Sequence, residues 1–481
     1  MDDLAFASAL ELAEAVRSRR VSPVEIADAL LARIEALNPA LNAFVYCDPD
    51  GVRARARALE SALMRGEPLG PLHGVPWSAK DLTAVAGMPQ TFGLPLLKDH
   101  VPAASAAVVR RLEAAGGLLL GKTNAPAYGY YGVTENRLFG ATQNPWRPGF
   151  IAGGSSGGAA AAVAAGLGPL ADGTDGAGSV RIPASCCGVF GLKPSLGRIP
   201  HTAFESRFLT FVGHGPITRS VADAALMLSV AEGPHRSDPL SLPGSGGDYL
   251  AEVRKEIRGW RVAWSPDLGF GRVDAEIAEI CRDAVRAFED LGCAVEESHP
   301  GWDDPEPAMW TLWAASFATG IDLLADEGVR SQVDENLVAV VEAGARLSGA
   351  EIARADVFRG RMWDRFVAWF ADYDLLVCPT LRVEPFENGR FAPARLEGEP
   401  LPRQLLGWLL TYPFNLLAAT PAASVPCGFT RAGLPVGLQI VGGPQADAAV
   451  LRAAAAFERA RPWAGRRPTL REKKKPEFLP R

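Results

Sequence analysis

Two serines of this chain stand in separate glycine-rich turns within one short segment. Ser155 lies in Ile151-Ala-Gly-Gly-Ser-Ser-Gly-Gly, and Ser179 in Gly173-Thr-Asp-Gly-Ala-Gly-Ser-Val-Arg-Ile-Pro-Ala. Glycines let a backbone turn sharply and bring bare N–H groups against a ligand. Acyl transfer asks for that combination: an exposed nucleophile beside donors aimed at a developing oxyanion. Upstream, Leu72-His-Gly-Val-Pro-Trp-Ser-Ala-Lys-Asp ends an apolar run on Lys80. A lysine at its reference pKa of about 10.4 is almost wholly charged at neutral pH, whereas burial can lower that value by several units. Val75-Pro-Trp-Ser-Ala, just ahead of Lys80, fits such burial.

These three pieces together resemble the amidase signature enzymes, serine hydrolases that cleave amides through a Ser–Ser–Lys relay without histidine. The resemblance implies Ser179 as nucleophile, Ser155 as the bridging serine with a cis peptide bond, and Lys80 as the base. It also implies that Gly176, Ala177 and Gly178 supply the oxyanion donors, since successive N–H groups in a tight turn form an anion nest. Many members carry glycine where this chain has Ala177; a methyl group there leaves the N–H intact. Asp175 and Arg181 bracket the loop and are expected to brace it as an ion pair. Ser156 either assists the network or satisfies the turn. Taken alone, Lys80 reads as an ordinary lysine ending a strand; beside both glycine turns it reads as the base.

Two other motifs compete, and the first of them is a chance match. Gly116-Gly-Leu-Leu-Leu-Gly-Lys122-Thr123 fits the phosphate-binding pattern GxxxxGK[ST]. That pattern needs a strand before the loop and a helix opening at its lysine, whereas here a helix precedes it and the leucines suit a strand. Gly153-Gly-Ser155-Ser-Gly157 fits the nucleophile elbow of α/β-hydrolases, which requires a later acid and then a histidine. His299 is the last histidine and sits beside Pro300; an esterase using Ser155 is the runner-up reading. The six histidines show no HxxxH pattern and no evident carboxylate partner, and His73 reads as a turn residue. Neither a metal nor any other cofactor is expected.

For the substrate, Trp310, Trp313 and Phe317 follow an i, i+3, i+7 spacing on a predicted helix, a stripe more often core than ligand contact. With Tyr130 and Tyr131, Trp310 and Trp313 are the pocket candidates, followed by the runs 201–211 and 404–412. These aromatics point to an apolar aryl or acyl amide. The run from Asp175 to Ser185 is similar to nylon-oligomer hydrolases and amidase-type urethanases, so a carbamate is a second substrate class. A subunit of a tRNA-dependent amidotransferase shares the motifs and is the alternative. Its usual Gln after the Ile-Arg pair is Ile182 here, and Phe211-Val-Gly-His replaces its Ser-Leu-Asp-Gln run. A binding module without catalysis is disfavoured, because Lys80, Ser155 and Ser179 are all present.

The elements that must position these residues read as an α/β chain. Ser22-Pro-Val-Glu25 predicts a capped helix start, with Leu30, Ile34 and Leu37 continuing its apolar face. From Pro71 to Ser195 short apolar strands alternate with helices. Beyond a Gly/Pro/Ser-rich connection at 232–250 the same alternation resumes: a strand at Arg261, a helix from Ala275 to Leu291, a strand at Ala294, and buried strands near Leu375 and Pro435. The runs from Asp372 to Thr380, from Pro413 to Leu416 and from Gly437 to Gly442 also resemble amidase elements. The expected fold is a central mixed β-sheet covered by helices on both faces. It forms a single domain over 1–481, with a signature core at about 72–195 and a variable substrate-binding region at about 200–412. A formal net charge of −6 over 481 residues argues against a nucleic-acid partner. The basic run at the C-terminus, Arg466-Arg467 with Arg471 to Lys475, reads as a solvated tail. The seven scattered cysteines suggest reduced thiols. Without a signal segment or an apolar stretch of spanning length, a cytoplasmic protein away from membranes is expected.

Overall fold

The computed structural model describes residues 2–202, 206–393, 395–401 and 403–470. One sheet of eleven strands organises it. In spatial order these are Phe44–Tyr46, Leu118–Thr123, Pro76–Lys80, Leu170–Asp175, Gly213–Thr218, Phe190–Lys193, Ala422–Phe429, Pro435–Val441, Leu375–Pro379, Arg261–Trp264 and Ala294–Glu297. Pairing is parallel around Pro76–Lys80 and again around Arg261–Trp264. It is antiparallel through the middle. The sheet is therefore mixed, and it runs on past the 232–250 connection without a break.

Helices cover both faces, which is why its strands read as continuous apolar runs rather than alternating ones. Leu375 and Val377 join one core while Leu376 and Cys378 join another on the opposite side. Leu119 likewise faces away from Leu118 and Leu120. The helices Val221–Ala231, Ala275–Asp290 and Asp447–Ala460 pack on the first face, and Pro23–Leu41 and Gly157–Ala164 on the other. Ser22 caps Pro23–Leu41 with the expected capping box, its side chain accepting from the Glu25 amide. The helix Ala107–Ala114 precedes the strand Leu118–Thr123 and Lys122 lies buried inside that strand, so the phosphate-loop match is accidental.

Among the described residues no helix is long and apolar enough to cross a membrane. Arg466 and Arg467 are not a free tail: each guanidinium lies over a ring, that of Phe429 at 4.7 Å and that of Phe6 at 4.2 Å. The run from Arg471 to Lys475 falls outside the described residues.

Candidate active site

Lys80 ends a strand flanked by neighbours on both sides, and its side chain has no exposure to water. Its Nζ lies 2.6 Å from Ser155 Oγ and 2.9 Å from Thr174 Oγ1. Burial pushes its pKa down to about 7, against the opposing pull of Asp172 and Asp175. That shift favours the uncharged amine, the form able to accept a proton. Ser155 follows a cis Gly154–Ser155 peptide bond and precedes the helix Gly157–Ala164. Its hydroxyl meets a lysine where the elbow reading needs a histidine.

Ser179 sits in the loop between the strand Leu170–Asp175 and the helix Arg181–Cys187. Gly178 has φ +121, and a Cβ on it would collide with the Thr411 side chain, so only glycine fits. That close approach lets Thr411 Oγ1 donate to the Ala177 carbonyl at 2.6 Å. Asp175 ties the loop from within, accepting from the Gly178 amide at 2.8 Å and the Val180 amide at 3.2 Å. Arg181 holds Asp175 in a two-pronged, wholly buried pair at 2.9 and 3.0 Å. The same guanidinium donates to the Thr411 carbonyl, Gln439 Oε1 and Asn415 Oδ1. Burial alone would raise the Asp175 carboxyl, but the charge of Arg181 and the hydrogen bonds from Arg181 and Asn415 hold it at about 2. Ser156 serves the turn: its amide donates to the Ser179 carbonyl at 3.2 Å and its hydroxyl to the Thr174 carbonyl at 3.4 Å.

Of the expected oxyanion trio, the Gly178 amide donates to Asp175 Oδ1 at 2.8 Å.

Ser155, Thr174, Gly176 and Ser179 open onto a cavity of about 820 Å³. Trp313 and Phe317 line it, from the helix Glu306–Phe317. The indole of Trp313 packs directly on the loop, 2.8 Å from where a Gly176 Cβ would stand, and its Nε1 donates to the Tyr130 carbonyl at 3.0 Å. Trp310 is not on the wall; it packs, partly buried, against the core cluster. Tyr130 and Tyr131 are also off the wall. They stack on each other and on Phe391, and the Tyr130 hydroxyl donates to Asp334 at 2.8 Å. Of the run 201–211, Ser206, Leu209 and the neighbouring Val212 reach the cavity, while residues 203–205 fall outside the described ones. The run 404–412 contributes packing and the Thr411 bond rather than wall.

Behind Lys80 lies a layer that the sequence did not disclose. Asp172 Oδ2 accepts from Thr83 Oγ1 at 2.6 Å, and Asp172 Oδ1 lies 2.9 Å from His214 Nδ1. His214 thus has the carboxylate partner that the histidine pattern did not reveal. Asp172 shares a strand face with Thr174, the neighbour of Lys80; that period-2 relation was the available signal.

Known proteins share this sequence and fold. The Amidase family model matches residues 25–451. An acylamidase of Rhodococcus erythropolis is 51% identical over 467 residues, covering 97% of this chain and 98% of the relative. A solved bacterial aryl acylamidase of the amidase signature family superposes with a TM-score of 0.91 at 38% identity, over 96% of this chain and 99% of that one. A 6-aminohexanoate cyclic dimer hydrolase follows at TM-score 0.86 and 32% identity, with the same coverage of 96% and 99%. Glutamyl-tRNA(Gln) amidotransferase A subunits are more distant, at 34–35% identity. The chain belongs to the amidase signature family and is a hydrolase of amide bonds, with an acylamidase among its relatives.

Proposed function

We propose that this enzyme hydrolyses apolar acyl and aryl amides through an acyl-enzyme on Ser179, with Ser155 and Lys80 as the proton relay. The observation that carries the reading is the 2.6 Å contact between a wholly buried Lys80 and Ser155, at the floor of the cavity that Ser179 lines. Ser179 Oγ bonds to the amide carbon as its proton passes to Ser155 Oγ, whose own proton passes to Lys80 Nζ. The carbonyl oxygen becomes an oxyanion facing the amides of Gly176 and Ala177. The C–N bond then breaks, and the relay returns a proton to the departing amine. Water attacks the ester by the same route and frees the acid and Ser179.

A carbamate offers the same carbonyl with an alcohol, phenol or amine to expel, so it is a second substrate class. The chain acts as one domain, needs neither nucleic acid nor membrane, and works in the cytoplasm.

Fluorophosphonate labelling with peptide mapping tests the nucleophile. The label is expected on the Ser179 peptide. A label on the Ser155 peptide alone would return the esterase reading.

A further inference from the structure

The cavity over Ser179 has a chemical bias that the relay does not require. Among the described residues its wall carries no Asp, Glu, Lys or Arg; its ionisable groups beyond the serines are Tyr128 and His100, the latter exposed. Its aromatic rings are Trp313 and Phe317 on one helix and the stacked pair Phe92 and Tyr128, whereas from residue 323 onward the wall is aliphatic: Leu323, Leu324, Val329, Val333, Leu337 and Val341. Leu94, Leu96, Leu97 and Leu209 add further aliphatic surface. At about 820 Å³ the space lies toward the upper end of pockets that enclose drug-sized ligands, about 300–1,000 Å³. An acetyl group and one ring would leave most of it filled with water. Leu96 and Leu323 on the wall are 43% and 61% exposed, apolar surface that a bound chain would cover.

We infer that the preferred substrates are uncharged amides bearing an extended aliphatic chain, and that the wall discriminates against chains ending in an ammonium or carboxylate. This rests on the amidase reading above. Each methylene moved from water onto an apolar wall strengthens binding, and an ionised chain end there finds no opposite charge to replace its hydration. The chain belongs either to the acyl group or to the nitrogen substituent. Both sources share one chemistry and are separated by experiment.

The test is kcat/KM on purified full-length enzyme with two homologous series. One is the acetyl, butanoyl, hexanoyl and octanoyl 4-nitroanilides; the other is acetamides of anilines with 4-alkyl chains of one to six carbons. At least one series should gain about threefold per methylene over its first several members, and the series that gains identifies the side the chain occupies. A matched pair, the pentanoyl and 4-aminobutanoyl 4-nitroanilides, differs only by a methyl group against an ammonium. The charged member should be at least about 100-fold poorer. Leu323→Ser, at a water-exposed position, should lower the octanoyl-to-acetyl ratio. Flat profiles in both series, or parity within the matched pair, would overturn the inference and leave the amidase reading standing. No turnover of any member would sink both.

Discussion

A lysine sealed from water is a base only while it stays neutral, and that makes Lys80 the residue whose titration the rate should follow. Its pKa near 7 is the net of burial pushing down and two carboxylates pulling up. Below that pH the amine is protonated and cannot take the Ser155 proton, so kcat/KM on a small anilide should fall about tenfold per pH unit on the acid side. In Lys80→Ala the rate should drop on the order of 10³-fold or more, and the residual activity should lack that limb. A limb that persists unchanged in the variant would assign it to another group. Ser179→Ala should lose at least on the order of 10⁴-fold with its fold intact. Adding Ser155→Ala to Lys80→Ala should cost little more, since members of one relay act as a unit. Near-additive losses would mean that the two residues act separately.

The strand Leu170–Asp175 carries more of the site than its length suggests, with Asp172 and Thr174 on one face and Asp175 at its end. Asp172→Asn removes a negative charge that raises the Lys80 pKa, so the acid limb should move to lower pH, by about one pH unit. An unmoved limb would reduce Asp172 to a structural role. Arg181→Met should strand Asp175 as an unpaired buried charge and lower stability by about 3–5 kcal/mol, measured by urea unfolding. A loss below about 1 kcal/mol would show that Asn415 and the loop amides suffice. The strands and helices were largely readable, because continuous apolar runs, a capping box and glycine turns are local signals. The resemblance paired Lys80 with Ser155, and the structure brings the two within 2.6 Å, a distance that no local signal supplies. What stayed hidden is long-range and polar. Nothing local in Asp172 announces His214, and the engagement of the Gly178 amide by Asp175 depends on loop geometry. Tyr130 and Trp310 looked like pocket residues because aromatic type says nothing about which side of an element faces the cavity.

At the scale of the whole molecule, one continuous sheet joins the halves on either side of the 232–250 connection. Calorimetry should therefore show a single unfolding transition; two separated ones would divide the chain into independent domains. The spatial order has a further consequence for how the enzyme comes into being. Strands Ala422–Phe429 and Pro435–Val441, the last of the sheet in chain order, sit in its middle. Arg181 reaches its outer partners at Thr411, Asn415 and Gln439. A nascent chain that has left the ribosome as far as residue 400 already contains Lys80, Ser155 and Ser179, yet it lacks the keystone that locks the Ser179 loop. Chemical competence is thus deferred until the segment from Thr411 to Gln439 has emerged. Stalled chains ending before Thr411 should fail to take up a fluorophosphonate, while chains released after Asp447–Ala460 has emerged should label.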